Sequence, residues 1–255
     1  MKIATWNVNS LNVRLEHVLK WLKTNNPDIL VLQEIKQITE NFAKDQFSKA
    51  GYHSVANGQK TYNGVAVITL NEPSDIVLEI PKFQDPQKRI LACTIGNTRV
   101  INLYIPNGSE LDSDKYIYKL NWLDALTCFL RSEIKKHNNL IILGDFNIAP
   151  TDKDVHDTKI WNNGILCSPP ERKALQEILD LGFIDVFRQF KQPEKTFSWW
   201  DYRAAGFRRN AGLRIDLILA SKNLSLNCKS SYIDKEPRSW ERPSDHTPVV
   251  AEFNI

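Results

Sequence analysis

The chain has 255 residues, 42% of them apolar, with 10 Gly and 12 Pro dispersed through it, which excludes a low-complexity, repeat or linker-built protein. At this size folding buries roughly three quarters of the unfolded chain's surface, so one domain over residues 1–255 is expected. With 33 Lys and Arg against 30 Asp and Glu the net charge is +3, too small to name a partner by itself.

Along the chain, short β-rich runs predict strands at KIATWNV, DILVLQ, GVAVITL, ILACTI, RVINLYI, LIILG, RIDLILA and TPVVAEF. Helical spacing falls between them. Leu11, Leu15, Val18, Leu19 and Leu22 form one apolar stripe, and residues 114–136 and 171–181 repeat the pattern. Strand clusters with irregularly placed helices suggest two packed sheets with helices outside, although local periodicity does not decide between this and regular βαβ winding. Cys93, Cys128, Cys167 and Cys228 are scattered without any C-x-x-C pair, so buried, reduced thiols are expected rather than a zinc or redox site. The opening MKIATWNVNS has no apolar signal core and no run is long enough to span a bilayer, which leads to the expectation of a cytoplasmic protein without membrane contact.

Charge is unevenly distributed. Residues 195–242 hold ten Lys or Arg and five acids, a local +5 against −2 for the remainder, which is the pattern a polyanion binder needs.

The polar residues that close the strands carry the chemistry. Asn7 and Asn9 end the first, Glu34 follows ILVLQ, and Asp145 and Asn147 follow LIILG. If the strand continues through GDFN, positions i and i+2 place Asp145 and Asn147 on one side. Asp245 and His246 precede the last strand, and Asp216 lies inside an apolar run, where a charge is costly unless paired. His246 is its candidate partner. Two or three carboxylates with amide and imidazole neighbours suit a hard divalent cation such as Mg²⁺.

Taken together, WNVNSL, LQE, INLYIPNG, LGDFN, LRIDLIL and RPSDHTPV, in this order, resemble the endonuclease/exonuclease/phosphatase superfamily. Within it the chain is similar to the exonuclease III and apurinic/apyrimidinic endonucleases. The resemblance spans nearly the whole chain and implies a four-layer α/β sandwich, two mixed β-sheets packed face to face and flanked by helices. It implies a metal set of Glu34 as principal Mg²⁺ ligand, Asn7 and Asp245 close to the ion, and Asp145, Asn147 and His246 around it, with Mn²⁺ able to substitute. Asp145 would hold or deprotonate the attacking water and Asn147 would stabilise the phosphorus centre. Tyr104 would contact the scissile phosphate, and His246, oriented by Asp216, a non-bridging oxygen. DNA contacts would come from Lys36, Asn107 and Arg203, and from Trp199, Leu213 and Ile215 as a pocket for a base-free sugar.

The expected partner is double-stranded DNA with abasic sites or damaged 3′ ends, acted on by a monomer that is cytoplasmic and nucleoid-associated when working. Two alternatives stand beside this reading: a phosphatase or RNase of the same superfamily, and an inactive nucleic-acid-binding member. The second should show substitutions among Glu34, Asp145, Asn147, Asp216 and His246, and none is substituted.

Overall fold

The computed structural model describes residues 1–255. Its strands are β1 (Lys2–Asn7), β2 (Ile29–Gln33), β3 (His53–Asn57), β4 (Val65–Thr69), β5 (Ser74–Val77), β6 (Ile90–Ile95), β7 (Thr98–Tyr104), β8 (Leu140–Asp145), β9 (Phe183–Asp185), β10 (Trp199–Trp200), β11 (Gly212–Leu213), β12 (Asp216–Ser221), β13 (Cys228–Ile233) and β14 (Val249–Phe253). The helices are α1 (Leu11–Asn25), α2 (Lys44–Lys49), α3 (Asp114–Lys136), α4 (Thr158–Trp161), α5 (Pro169–Leu179) and α6 (Lys222–Ser225). None of them is long and apolar enough to cross a membrane.

Two mixed sheets of six strands carry the architecture. One has the order β13-β14-β1-β2-β4-β3 and the other β5-β6-β7-β8-β12-β9, with β1/β2 and β7/β8 the parallel pairs. Alternate residues explain the stacking. Ile3, Val31 and Val67 of the first sheet meet Val100, Ile141 and Ile218 of the second in one apolar layer. Their neighbours Ala4, Leu32 and Ile68 face outward onto α1, while Leu103, Ile142 and Leu219 face α3 and α5. Both faces of the central strands are therefore buried. This is why they read as near-continuous apolar runs, and why periodicity alone left the layering open.

A buried polar tie crosses between the sheets just below the strand ends. Gln33 Nε2 donates to Asn102 Oδ1 at 2.8 Å, and Asn102 Nδ2 donates to the carbonyls of Leu32 and Ala66 at 2.9 Å. With Gln33 Nε2 also donating to Thr5 Oγ1 at 2.9 Å, each amide hydrogen finds an acceptor, and only the Gln33 side-chain oxygen is left without a partner. It fixes the end of β2 against β7, one residue before Glu34 and two before Tyr104.

Helix limits follow local chemistry. Asn26, with φ 46°, ends α1 by donating its N–H to the Leu22 carbonyl, and Ser113 caps α3 by accepting from the Tyr116 N–H. The stretch expected to begin at Glu171 starts instead at Pro169, because Ser168 and Glu171 form a reciprocal capping box and proline suits the first turn. It stops at Leu179, short of the expected Leu181, where Gly182 turns the chain at φ 105°. The run RIDLILA becomes a strand only from Asp216, since Arg214 is drawn into buried ion pairs with Asp154 and Asp185. Cys93 and Cys167 are buried as expected, but Cys128 is exposed on α3 and Cys228 half-buried.

Candidate active site

Strand direction gathers the polar residues. The C-terminal ends of β1, β2, β7 and β8 and the starts of β12 and β14 lie at one end of the two sheets, as the registers Asn7↔Gln33, Tyr104↔Asp145 and Asp216↔Asp145 show. Glu34, Tyr104, Asn107, Asp145, Asn147, Trp199, Arg203, Ile215, Asp245 and His246 all line one cavity of about 350 Å³ there. Ten of the fourteen residues given a site role from the sequence thus share its wall.

Asp145 is the hub. Asn7 Nδ2 donates to its Oδ2 at 2.9 Å and to Glu34 Oε1 at 3.0 Å, so one buried amide bridges two carboxylates from different sheets. Gly144 makes this possible. Its φ is +147°, and a Cβ there would lie 1.9 Å from the Leu103 carbonyl, so only glycine lets β8 end this close to β7. Beyond Asp145 the chain does not stay extended. Asn147 has φ 49° and donates its N–H back to Asp145 Oδ1 at 2.9 Å, an Asx turn in place of the i, i+2 strand geometry expected for GDFN. The turn still delivers the Asn147 side chain to the cavity. Its amide donates to the Ile105 carbonyl at 3.0 Å and its Oδ1 accepts from Asn107 Nδ2 at 2.9 Å.

Asp216 and His246 pair as anticipated. Nδ1 of His246 lies 2.9 and 3.1 Å from the two Asp216 oxygens, and its Nε2 lies 3.7 Å from Asp145 Oδ2. Burial by itself pulls the imidazole's pKa down, but the Asp216 and Asp145 carboxylates outweigh it and raise it to about 10. Burial also pushes Asp145 up to about 7; the His246 cation pulls the other way, and the nearby Asp216 and Glu34 charges add to the rise. Tyr104 is raised well above the ordinary phenol value, first by burial and then by the Glu34 and Asp145 carboxylates, while the Arg89 guanidinium lies 4.6 Å from its ring centre.

Metal-ligating atoms of Glu34, Asp145 and His246 lie within 4.8 Å of one another. The donor set fits a hard cation: Glu34 and Asp145 offer carboxylate oxygens, and mutual repulsion among buried carboxylates is relieved by a dication. Asp245 is held differently. Its two oxygens accept from Asn9 Nδ2 at 2.9 Å and Trp199 Nε1 at 3.0 Å, and burial notwithstanding, His246 and these donors keep its pKa below the usual carboxylate value. Lys36 does not project freely toward a ligand. Its ammonium sits 2.9 Å from Glu34 Oε2 and 2.6 Å from Asn9 Oδ1.

Two further expectations change. Leu213 is fully buried, packed with Ala149, Val155 and Leu166 and paired with Trp199 across β10 and β11, so it backs the cavity and does not line it. Within the basic stretch Arg214 and Arg238 are buried, and the other eight cations are exposed. The sequence marks Asn9 at the end of the first strand but gives it no role, although its i+2 spacing from Asn7 was an available signal, and it does not name Trp161, Ile165 and Leu166, which complete the apolar wall from the segment after β8. The Trp161 ring stands edge-on to Trp199 with centroids 6.4 Å apart, a favourable aromatic geometry.

Comparison with known proteins places this arrangement. Exodeoxyribonuclease III of Haemophilus influenzae is 38% identical, with 99% of this chain and 100% of that protein covered. A Neisseria 3′ phosphatase solved with a product DNA hairpin is 48% identical and superposes with a TM-score of 0.98, each chain covered completely. An AP endonuclease from Archaeoglobus fulgidus is 40% identical at a TM-score of 0.96, again over both whole chains. The sequence pattern of the Endonuclease/Exonuclease/phosphatase family matches residues 4–246, and it is to this family that the chain belongs.

Proposed function

We infer that the protein is a Mg²⁺-dependent DNA repair nuclease that hydrolyses the phosphodiester 5′ of abasic sites and removes nucleotides or blocking groups from 3′ ends of duplex DNA. The observation that carries this reading is the convergence of Glu34, Asp145, Asn147 and His246 from both sheets on one small cavity, with Asn7 and Asp216 hydrogen-bonded to them from behind. Relatives named for exodeoxyribonuclease and AP endonuclease activity support the substrate.

Each group has chemistry suited to phosphoryl transfer. Asp145, raised to about 7 by burial, is basic enough near neutrality to take a proton from an attacking water. His246 acts as a cation. Both ring nitrogens carry hydrogens when it is protonated, Nδ1–H is donated to Asp216, and Nε2–H is left for a non-bridging phosphate oxygen. That protonated state argues for substrate contact and against ligation of a metal through His246. Asn147 and Asn107 each keep one amide hydrogen free for equatorial oxygens after their mutual contacts. Tyr104, held neutral, keeps the O–H that it would donate to an oxygen of the scissile phosphate. Glu34 would hold Mg²⁺, with Asn7 and Asp145 beside it and Asp245 further out. When bound, the ion supplies Lewis-acid charge to the phosphoryl oxygens. Trp199 and Ile215, backed by Leu213, form the apolar side that receives a base-free sugar, and Arg203 on the same wall is placed for the DNA backbone.

The test is release of product from end-labelled duplexes carrying an internal abasic site or a 3′-phosphate, with Mg²⁺ and with excess EDTA. Product is expected only with the metal. Binding without any cleavage under either condition would favour a non-catalytic role and overturn the reading.

A further inference from the structure

Directly behind the cavity lies a buried ion pair that the chemistry above does not use. Lys119 of α3 and Glu171 of α5 both have fully buried side chains and pair with each other. The desolvation of such a pair commonly offsets its Coulombic gain, so stability alone is a weak reason to find one here. Its hydrogen bonds point elsewhere. All three ammonium hydrogens are spent: one on Glu171, one on the Asn147 carbonyl at 2.7 Å and one on the Asn107 carbonyl at 3.2 Å. Glu171 in turn accepts from the Leu166 N–H at 3.1 Å, the Ser168 N–H at 3.0 Å and the Ser168 hydroxyl at 2.7 Å.

One pair therefore joins three loops, and each of them lines the cavity, through Asn107, Asn147, and Ile165 with Leu166. The backbone it grips turns sharply: Asn147 sits at φ 49°, and two residues past Asn107 Ser109 sits at φ 58°, a left-handed conformation that serine holds only where the surroundings support it. Gly108 lies between, at φ 90°, where a Cβ would press within 3.0 Å of Ile165 Cδ1 and 3.2 Å of Lys119 Cδ.

We propose that Lys119 and Glu171 are positioning residues, which hold the Asn107 and Asn147 amides at the substrate phosphate from behind and keep the Ile165–Leu166 wall in register with them. Neither touches substrate. The proposal rests on the phosphodiester-hydrolysing reading of the site.

The experiment compares wild type with the apolar double variant Lys119→Met/Glu171→Met, alone and combined with Asn147→Ala. The expected result is a variant that still folds but melts at a lower temperature, because the Asn107 and Asn147 carbonyls and the Leu166 and Ser168 N–H groups lose their partners, with kcat measured well below that melt lower by tenfold or more and KM within threefold. Because the pair acts through Asn147, adding it to Asn147→Ala should cost little more. Wild-type kcat in the folded methionine variant, or losses that multiply with Asn147→Ala, would overturn the proposal. If that variant does not fold, Lys119→Arg decides: a guanidinium keeps the carbonyl bonds and should retain kcat within threefold, whereas a tenfold loss at native stability counts against it. Inactivity of the wild type on every DNA substrate would sink the nuclease reading alone. The side-chain amide resonance of Asn147, read without substrate, then remains as the arbiter. It should shift in the methionine variant, and an unmoved resonance overturns the positioning role.

Discussion

Asp216→Asn tests the electrostatic design of the site most sharply. The variant keeps the shape and leaves an amide oxygen to accept from His246 Nδ1, which now lies 2.9 Å from the carboxylate. What it removes is a buried charge. At an effective dielectric of about 20 and a separation of about 4 Å between charge centres, that charge contributes about 4 kcal/mol, or about three pKa units. In the wild type the imidazole is raised to about 10, so the cation persists through neutral pH and is lost as pH rises through that value. Removing the carboxylate lowers the pKa, and loss of the proton moves to lower pH. Asp145, 3.7 Å from Nε2, retains part of the effect, so the alkaline limb should move down by about two to three units. Single-turnover rates on a 3′-phosphate duplex between pH 6 and 10 measure it directly. An alkaline limb that stays in place in the folded variant would refute the idea that Asp216 holds His246 as a cation.

Glu34→Ala should lower kcat by at least about 100-fold, the scale of a lost Lewis acid, while a half-buried strand-end substitution costs roughly 0.5 kcal/mol of stability; thermal melts and rates with Mg²⁺ or Mn²⁺ restored after chelation check both halves. Affinity for duplex DNA should fall with salt. Two of the ten cations of residues 195–242 are buried and two more, Lys222 and Lys229, lie beyond the far end of β12, so this segment contributes a log–log slope no steeper than about −5. Trp199→Ala removes an aromatic wall and the donor to Asp245, and should weaken preference for abasic over intact duplex more than it slows removal of a 3′ nucleotide; equal losses on both substrates would assign the ring to packing.

The central strands and the long helices were legible in the sequence because apolar runs and 3.6-residue stripes survive any tertiary arrangement. The edge strands were not. His53–Asn57, Ser74–Val77 and Cys228–Ile233 are polar or half-exposed, and pairing with one neighbour gives them no strong pattern of their own. Within the site, the Asp216–His246 pair could be read because a lone acid in an apolar run demands a partner. Asn147 was placed correctly for the wrong local reason, since nothing in GDFN distinguishes an Asx turn from a continued strand. The buried ions Lys119, Glu171, Asp154 and Arg214 could not be read at all. Their ionic partners lie 29 to 60 residues away or bind through backbone carbonyls, and a charged residue in a helix or loop looks solvated until the neighbouring layer is present.

On the reading proposed above, one constellation built around Asp145 performs every hydrolysis the protein carries out. The direct measurement is side-by-side kinetics of wild type and Asp145→Asn with Mg²⁺ on an internal abasic duplex, a recessed 3′ end and a 3′-phosphate end. Loss of the proton acceptor should slow all three together by about 10²- to 10⁴-fold. Retention of wild-type rate on any one of them by the folded variant would contradict a single shared site.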